Sequence, residues 1–126
     1  MLKNKPHKTL DVWQKSIRLV EEIYRLVSLL PKSEEFGISN QIKRSAVSIA
    51  ANIAEGAARQ TKREFIQFLH MSQGSLSELD THLEILDRLG FIQRHSKIKL
   101  SALMDDIDKM ITRLIKSLKK SLNQKN

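Results

Sequence analysis

Gln41, Arg44, Ser48, Asn52, Glu55 and Arg59 follow one another at intervals of 3, 4, 4, 3 and 4 residues, and the positions between them are mostly Ile, Val and Ala. That rhythm places all six on one face of a helix, because residues three and four apart lie above one another. Ser75, Glu78 and His82 repeat the 3 and 4 spacing further on and are expected to face the first row from a neighbouring helix. Three chemistries fit such a row. It can form an interhelical hydrogen-bond network, with Arg44 pairing with Glu78, that fixes helix register or a subunit interface. It can contact a ligand or RNA, or it can be a solvated face. The residues expected in a polar network or subunit interface are Gln41, Arg44, Ser48, Asn52, Glu55, Ser75 and Glu78.

The same residues assemble no catalytic motif. A di-iron bundle uses Glu-x-x-His on two helices, whereas Thr81 stands three residues after Glu78 and His82 comes one position too late. H-E-x-x-H, P-loop and G-x-S-x-G patterns are absent from the sequence. His7, His70, His82 and His95 are scattered and read as surface or packing residues. A Glu55 and Glu78 pair can in principle bind Mg²⁺, but nothing supplies a substrate pocket. The sequence has no cysteine, hence no thiolate nucleophile, thiolate metal site or disulfide. The expectation is a protein that is not an enzyme, with no catalytic residues, cofactor or metal.

The 126 residues carry 22 Lys and Arg against 14 Asp and Glu, a net charge of +8. This excess sits at the ends. Residues 1–9 hold Lys3, Lys5 and Lys8 with no acid, and residues 109–126 hold Lys109, Arg113, Lys116, Lys119, Lys120 and Lys125 with no acid. The stretch between them is nearly balanced, apart from a local cluster at Arg59, Lys62 and Arg63. A basic surface of this kind serves polyanion binding or simple solubility. Asp11 with Lys15, Glu21 with Arg25, Glu55 with Arg59, Glu84 with Arg88 and Asp105 with Lys109 place an acid four residues before a base, the orientation that supports a solvated helix.

Hydropathy periodicity supplies the elements that carry these residues. From Leu10 to Leu30 one stripe runs through Trp13, Ile17, Val20, Tyr24 and Val27, beside a second through Leu19, Ile23, Leu26 and Leu30, until Pro31 stops the helix. A second helix is predicted over about residues 38–58, with Ile38, Ile42, Ile49 and Ile53 inward. A T-x-x-E capping box at Thr61 and Glu64 starts a third, whose seam is Phe65, Leu69, Ser72, Leu76, Leu79, Leu83 and Leu86. Gly74 within it is expected to face the small side chains of the second helix. Gly90 suits the left-handed position after its end, with Phe91 folding back on Leu86. Ser96 is the expected cap of a fourth helix with the stripe Leu100, Leu103, Ile107, Met110, Leu114 and Leu118.

Helices this long with short turns make an all-α, up-down-up-down antiparallel four-helix bundle. Residues 1–126 are read as one domain with basic, flexible ends at 1–9 and 120–126. The N-terminal residues lack the apolar run of a secretory signal, and the least polar run, residues 45–54, is too short to span a bilayer. A cytoplasmic protein with no membrane partner is expected.

Three segments carry a family resemblance: Leu10 to Lys15 (LDVWQK), Gln41 to Gly56 with the pattern Q-x-x-R-x-x-x-S-x-x-x-N-x-x-E-G, and Gly74 to Leu79 (GSLSEL). Together they resemble the 23S rRNA-intervening sequence proteins, also called four-helix bundle proteins, over roughly residues 10–118. The resemblance implies that the polar row is a family feature. It also implies a bacterial, homopentameric, ribosome- or RNA-associated protein, since members are encoded within insertions of the large-subunit ribosomal RNA gene or elsewhere in bacterial genomes. The accessory variability proteins of diversity-generating retroelements are similar, which implies an alternative role as a protein-interaction scaffold or accessory subunit of a nucleic-acid enzyme such as a reverse transcriptase. Of Trp13, Tyr24, Phe36, Phe65, Phe68 and Phe91, most lie on apolar stripes, so few platforms remain for base stacking. Contacts to nucleic acid are expected at phosphates, through Lys43, Arg59, Lys62, Arg63, Lys116, Lys119 and Lys120, and should weaken with salt.

Overall fold

The computed structural model describes residues 6–34 and 37–124, so Lys3, Lys5, Phe36 and Lys125 lie outside the described residues. Helices α1 (Asp11–Val27), α2 (Ile38–Ala57), α3 (Lys62–Arg88) and α4 (Arg94–Asn123) follow in order, with short 3₁₀ turns at Pro6–Thr9 and Lys32–Glu34. Each helix packs on its two neighbours. Cross-helix contacts fix the directions: Glu22 meets Lys99 and Lys15 meets Asp106 between α1 and α4, while Glu84 meets Lys97 and Gln73 meets Asp108 between α3 and α4. Each pair rises on one helix as it falls on the other, the mark of an antiparallel bundle.

The core is one cluster drawn from all four helices, with Leu19, Ile23, Ile42, Ile49, Ile53, Leu69, Leu79, Leu83, Leu86, Ile107 and Ile111 fully buried. On α1 the stripe of Leu19, Ile23 and Leu26, with Val12 and Ser16, points inward, and Tyr24 from the neighbouring stripe is exposed. Regular helix ends at Val27 instead of Leu30, because the residue before a proline avoids the α region. The chain tightens there with Leu29 N–H donating to Leu26 O and Leu30 N–H to Val27 O.

Four local expectations change. Gly74 faces open space, and it is Gly56 on α2 that meets α3, where an added Cβ would lie 2.7 Å from Phe68 Cβ and 2.9 Å from Phe65 Cδ1. On α4 the deepest side chains are Leu100, Met104, Ile107, Ile111 and Ile115, while Leu103, Met110, Leu114 and Leu118 flank them. The helix also starts at Arg94 after Gln93, so Ser96 lies inside the first turn and caps nothing. The capping box is half formed. Thr61 Oγ1 accepts from Glu64 N–H, and the Glu64 carboxylate takes the Thr61 hydroxyl instead of the Thr61 N–H.

At the α3–α4 turn Gly90 has φ 79°, and Phe91 N–H donates to Leu86 O at 2.9 Å, closing the helix as expected. The Phe91 ring itself is exposed, and Ile92 is the buried residue of that turn. Lys97 clamps the turn by donating to Glu84 at 2.5 Å and Asp87 at 3.3 Å. The Lys97 and Arg88 hydrogen bonds hold the Glu84 carboxyl down at about 2, and the Glu84 carboxylate in turn raises Lys97.

Candidate functional site

The polar row of α2 lies along its junction with α3, where the sequence spacing placed it. Ser75 Oγ donates to Ser48 Oγ at 2.9 Å, and Asn52 Nδ2 donates to Ser48 O at 2.9 Å and Ser48 Oγ at 3.0 Å. Ser72, a residue read only as part of the α3 seam, adds a buried bond to Ile49 O at 2.9 Å. The Ser75 and Ser72 bonds fasten α2 to α3 through short side chains, which need little entropy to hold in place, while the Asn52 bonds stay within α2.

Toward the N-terminal half of α2 the row opens into a groove of about 450 Å³ lined by Gln41, Arg44, Ser45, Ser48 and Glu78. Arg44 and Glu78 share the groove without pairing with each other, which corrects the expected ion pair. Glu78 Oε1 instead stands 3.5 Å from His82 Nε2. That separation is at the limit of a hydrogen bond, and neither ring nitrogen of His82 has a hydrogen-bond partner although the residue is only 9% exposed. The described residues offer Arg44 no ion-pair partner. The groove therefore presents an uncommitted cation beside a carboxylate and a buried imidazole, with exposed Val47, Met71 and Ile85 on the outward faces of α2 and α3.

At the C-terminal end of α2 the row becomes an ordinary surface pair. Arg59 donates to Glu55 at 2.8 Å, and its guanidinium lies 4.7 Å from the Phe68 ring centre. This point is also where the basic residues gather. In an up-down-up-down bundle the start of α1, the end of α2, the start of α3 and the end of α4 share one end of the molecule. That topology collects Lys8, the cluster at Arg59, Lys62 and Arg63, and the basic last turns of α4, although they are far apart in sequence. The Lys62 ammonium donates to Ser121 Oγ, joining the start of α3 to the end of α4.

The candidate phosphate contacts do not all share this end. Lys43 lies near the other end, 5.6 Å from the Tyr24 ring centre, while Arg59, Lys62, Arg63, Lys116, Lys119 and Lys120 remain together. The opposite end of the bundle also carries cations, several of which meet carboxylates: Arg25 and Lys99 meet Glu22, Arg88 meets Glu84, and Arg94 and Lys97 meet Asp87, while Lys32, Lys43 and Arg44 have no ion-pair partner among the described residues. Lys109 and Arg113 lie outside the contacts expected from the sequence. Helical phase puts them on the exposed side of α4 with Lys116 and Lys120, a signal available from the spacing of 4, 3 and 4.

Among the described residues no three His, Asp or Glu side chains converge as metal ligands, and no helix is long and apolar enough to cross a membrane. The family model described as 23S rRNA-intervening sequence protein matches residues 8–113. A crystal structure of a protein of unknown function from the S23 ribosomal protein family of Bacteroides thetaiotaomicron is 31% identical, with a TM-score of 0.78 over 83% of this chain and 95% of that one. The chain has no significant match among curated proteins.

Proposed function

The chain belongs to the 23S rRNA-intervening sequence protein family, and from that membership we propose a non-enzymatic, cytoplasmic bundle that assembles with copies of itself and associates with RNA through phosphate contacts at its basic end. The observation that carries this reading is the gathering of separate basic clusters at one end, whereas at the other end Arg25, Arg88, Arg94, Lys97 and Lys99 meet carboxylates. A surface of unpaired Lys and Arg attracts a polyphosphate by releasing its condensed counterions. A homopentamer, the assembly the family resemblance implies, would multiply the +8 of one chain fivefold.

The test is a titration of structured RNA at two salt concentrations. Binding at about 50 mM salt that weakens by a factor of ten or more near 200 mM supports phosphate-driven association. Absence of binding at the lower salt overturns it.

The α2–α3 groove favours a second reading alongside the first. Arg44 and Glu78 in one groove, with Val47 43% and Met71 53% exposed nearby, form a mixed polar and apolar face suited to protein contact. In the proposed assembly this face meets another copy. In the alternative it meets a partner protein, such as a nucleic-acid enzyme for which the bundle is an accessory subunit.

A further inference from the structure

The basic end has an internal order that bears on the form of nucleic acid it takes. On α4, Lys109, Arg113, Lys116 and Lys120 are spaced 4, 3 and 4 residues apart, so they form a single stripe along the exposed side of the helix. At 1.5 Å per residue the stripe is about 16 Å long. All four are exposed, and none has an ion-pair partner among the described residues. Asp105, one turn before Lys109, ends the stripe, and beyond Lys120 the start of α3 continues the positive surface with Lys62 and Arg63.

The aromatic residues at this end are not free to stack on bases. Trp13 packs on the core and edge-on to His7 at 4.9 Å, Phe65 packs on the core, and the Phe68 ring lies under the Arg59 guanidinium. The exposed aromatic residues among those described, Tyr24 and Phe91, lie toward the opposite end. A surface that stacks no base gains nothing from unpaired bases, and it depends on the density of phosphate charge alone. A double helix carries one charge per about 1.7 Å of axis, twice the density of one of its strands, so about five phosphates of one strand run alongside the α4 stripe.

We propose that the stripe of Lys109, Arg113, Lys116 and Lys120 is a docking rail for the phosphate row of a double helix, indifferent to base sequence and to the sugar. This rests on the nucleic-acid reading above and narrows it from polyphosphate to paired strands. Three of the four are lysines, whose ammonium groups meet phosphates as point charges, and Arg113 alone carries a planar fork.

The experiment uses the full chain with four probes: a labelled RNA duplex, the same sequence as a DNA duplex, an oligouridine strand of equal length, and polyaspartate as a competitor. The two duplexes should bind within about threefold of each other, and oligouridine about tenfold more weakly. Four neutralised phosphates give a slope of log K against log salt near −4, and each lysine changed to Gln should make it shallower by about one. The double variant Lys116→Glu with Lys120→Glu, both on exposed positions, should weaken both duplexes by about tenfold or more at unchanged helicity. Lys32→Glu, exposed at the other end, should change neither. Oligouridine binding as tightly as duplex, a strong preference for RNA over DNA, or polyaspartate competing as well as duplex each overturns the rail while leaving the broader attraction to polyanions. Failure of every nucleic acid to bind at low salt overturns the rail together with the nucleic-acid reading.

Discussion

Gly56 lies in the last turn of α2 and Gly74 in the interior of α3, and opposite outcomes are expected when each gains a methyl group. Glycine costs a helix interior about 1 kcal/mol relative to alanine, so the substitution helps wherever there is room. At Gly74 there is room, with nothing within 4 Å of the added Cβ. Gly74→Ala should therefore stabilise the bundle by about 0.5–1 kcal/mol in urea unfolding. At Gly56 the new Cβ would lie 2.7 Å from Phe68 Cβ and 3.3 Å from the Phe65 carbonyl oxygen, which is backbone and cannot swing aside. Overpacking of this kind costs about 1–3 kcal/mol, more than the propensity gain, so Gly56→Ala should be destabilising. Equal stability of Gly56→Ala and the parent would mean that α2 and α3 are less tightly apposed than described. Gly56 is the Gly of the N-x-x-E-G run, and its close approach to α3 explains why that position must lack a side chain. Nothing in the spacing of either glycine distinguishes them. Only the phase of α2 against α3 does.

His82 is a second place where residue type and surroundings disagree. A buried polar group without a partner costs about 1–3 kcal/mol, and both His82 ring nitrogens are in that state. If the protomer alone sets the energetics, His82→Leu should stabilise it by about 1 kcal/mol in thermal or urea unfolding. A loss of stability on this change would point to a partner for the imidazole in the assembled protein.

At the scale of elements, the turn from α3 to α4 is held by charge as well as by Gly90. Glu84 is held at about 2 against an ordinary 4.5, by hydrogen bonds from Lys97 and Arg88. A carboxyl lowered in the folded state stabilises it fully above its unfolded value, and that stabilisation is lost as pH falls from about 4.5 through 2. Lys97 is raised, so its own contribution is complete below 10.5 and disappears only as pH climbs through the higher folded value. Lys97→Met should therefore lower stability at neutral pH, with the difference from the parent shrinking steadily as acidification passes from about 4.5 through 2. Unfolding curves at neutral pH and at the acid extreme check this. A difference that persists undiminished at low pH would assign the effect to packing of the lysine stem instead of the ion pair.

The helices themselves were legible because their apolar spacing admits one period, and Pro31, Thr61 and Gly90 punctuate it. The phase within a helix was harder. On α4 the run Leu100, Leu103, Ile107, Met110, Leu114, Leu118 fits a 3.5-residue seam as well as Leu100, Met104, Ile107, Ile111, Ile115 does, and the choice between them depends on neighbours. The short polar side chains of the α2–α3 junction met as their spacing implies, since Ser48, Asn52 and Ser75 reach only what lies beside them. Arg44 and Glu78 did not pair, because long side chains have several rotamers that leave the ends apart and an exposed ion pair gains little, about 0–1 kcal/mol. The basic end was legible only as scattered clusters, since its unity is a property of the up-down order and not of any one segment.

For the whole molecule, the positive charge and the proposed self-assembly oppose each other. Copies carrying +8 repel, and at 0.15 M salt that repulsion is screened beyond about 8 Å. Assembly is compatible with this only if the faces that meet are away from the basic end, and the α2–α3 groove qualifies in its N-terminal half. Beside it Val47, and Met71 further along α3, supply exposed apolar surface, while Arg44 and Glu78 supply opposite charges with no strong partner among the described residues. The two contributions differ in their response to salt. Apolar contact between like-charged copies strengthens as repulsion is screened, whereas assembly dominated by Arg44 of one copy meeting Glu78 of another weakens. Apolar burial, at about 25 cal/mol per Å², outweighs an exposed ion pair of less than 1 kcal/mol once more than a few tens of Å² are covered. Sedimentation equilibrium of the parent should therefore give an oligomer whose association constant rises between low and moderate salt. Val47→Glu with Met71→Glu should yield the mass of a single chain with unchanged helical content, since both side chains already face solvent in the protomer. An oligomer mass that survives both substitutions would place the assembly face elsewhere and return the polar row of α2 to a purely internal role in joining it to α3.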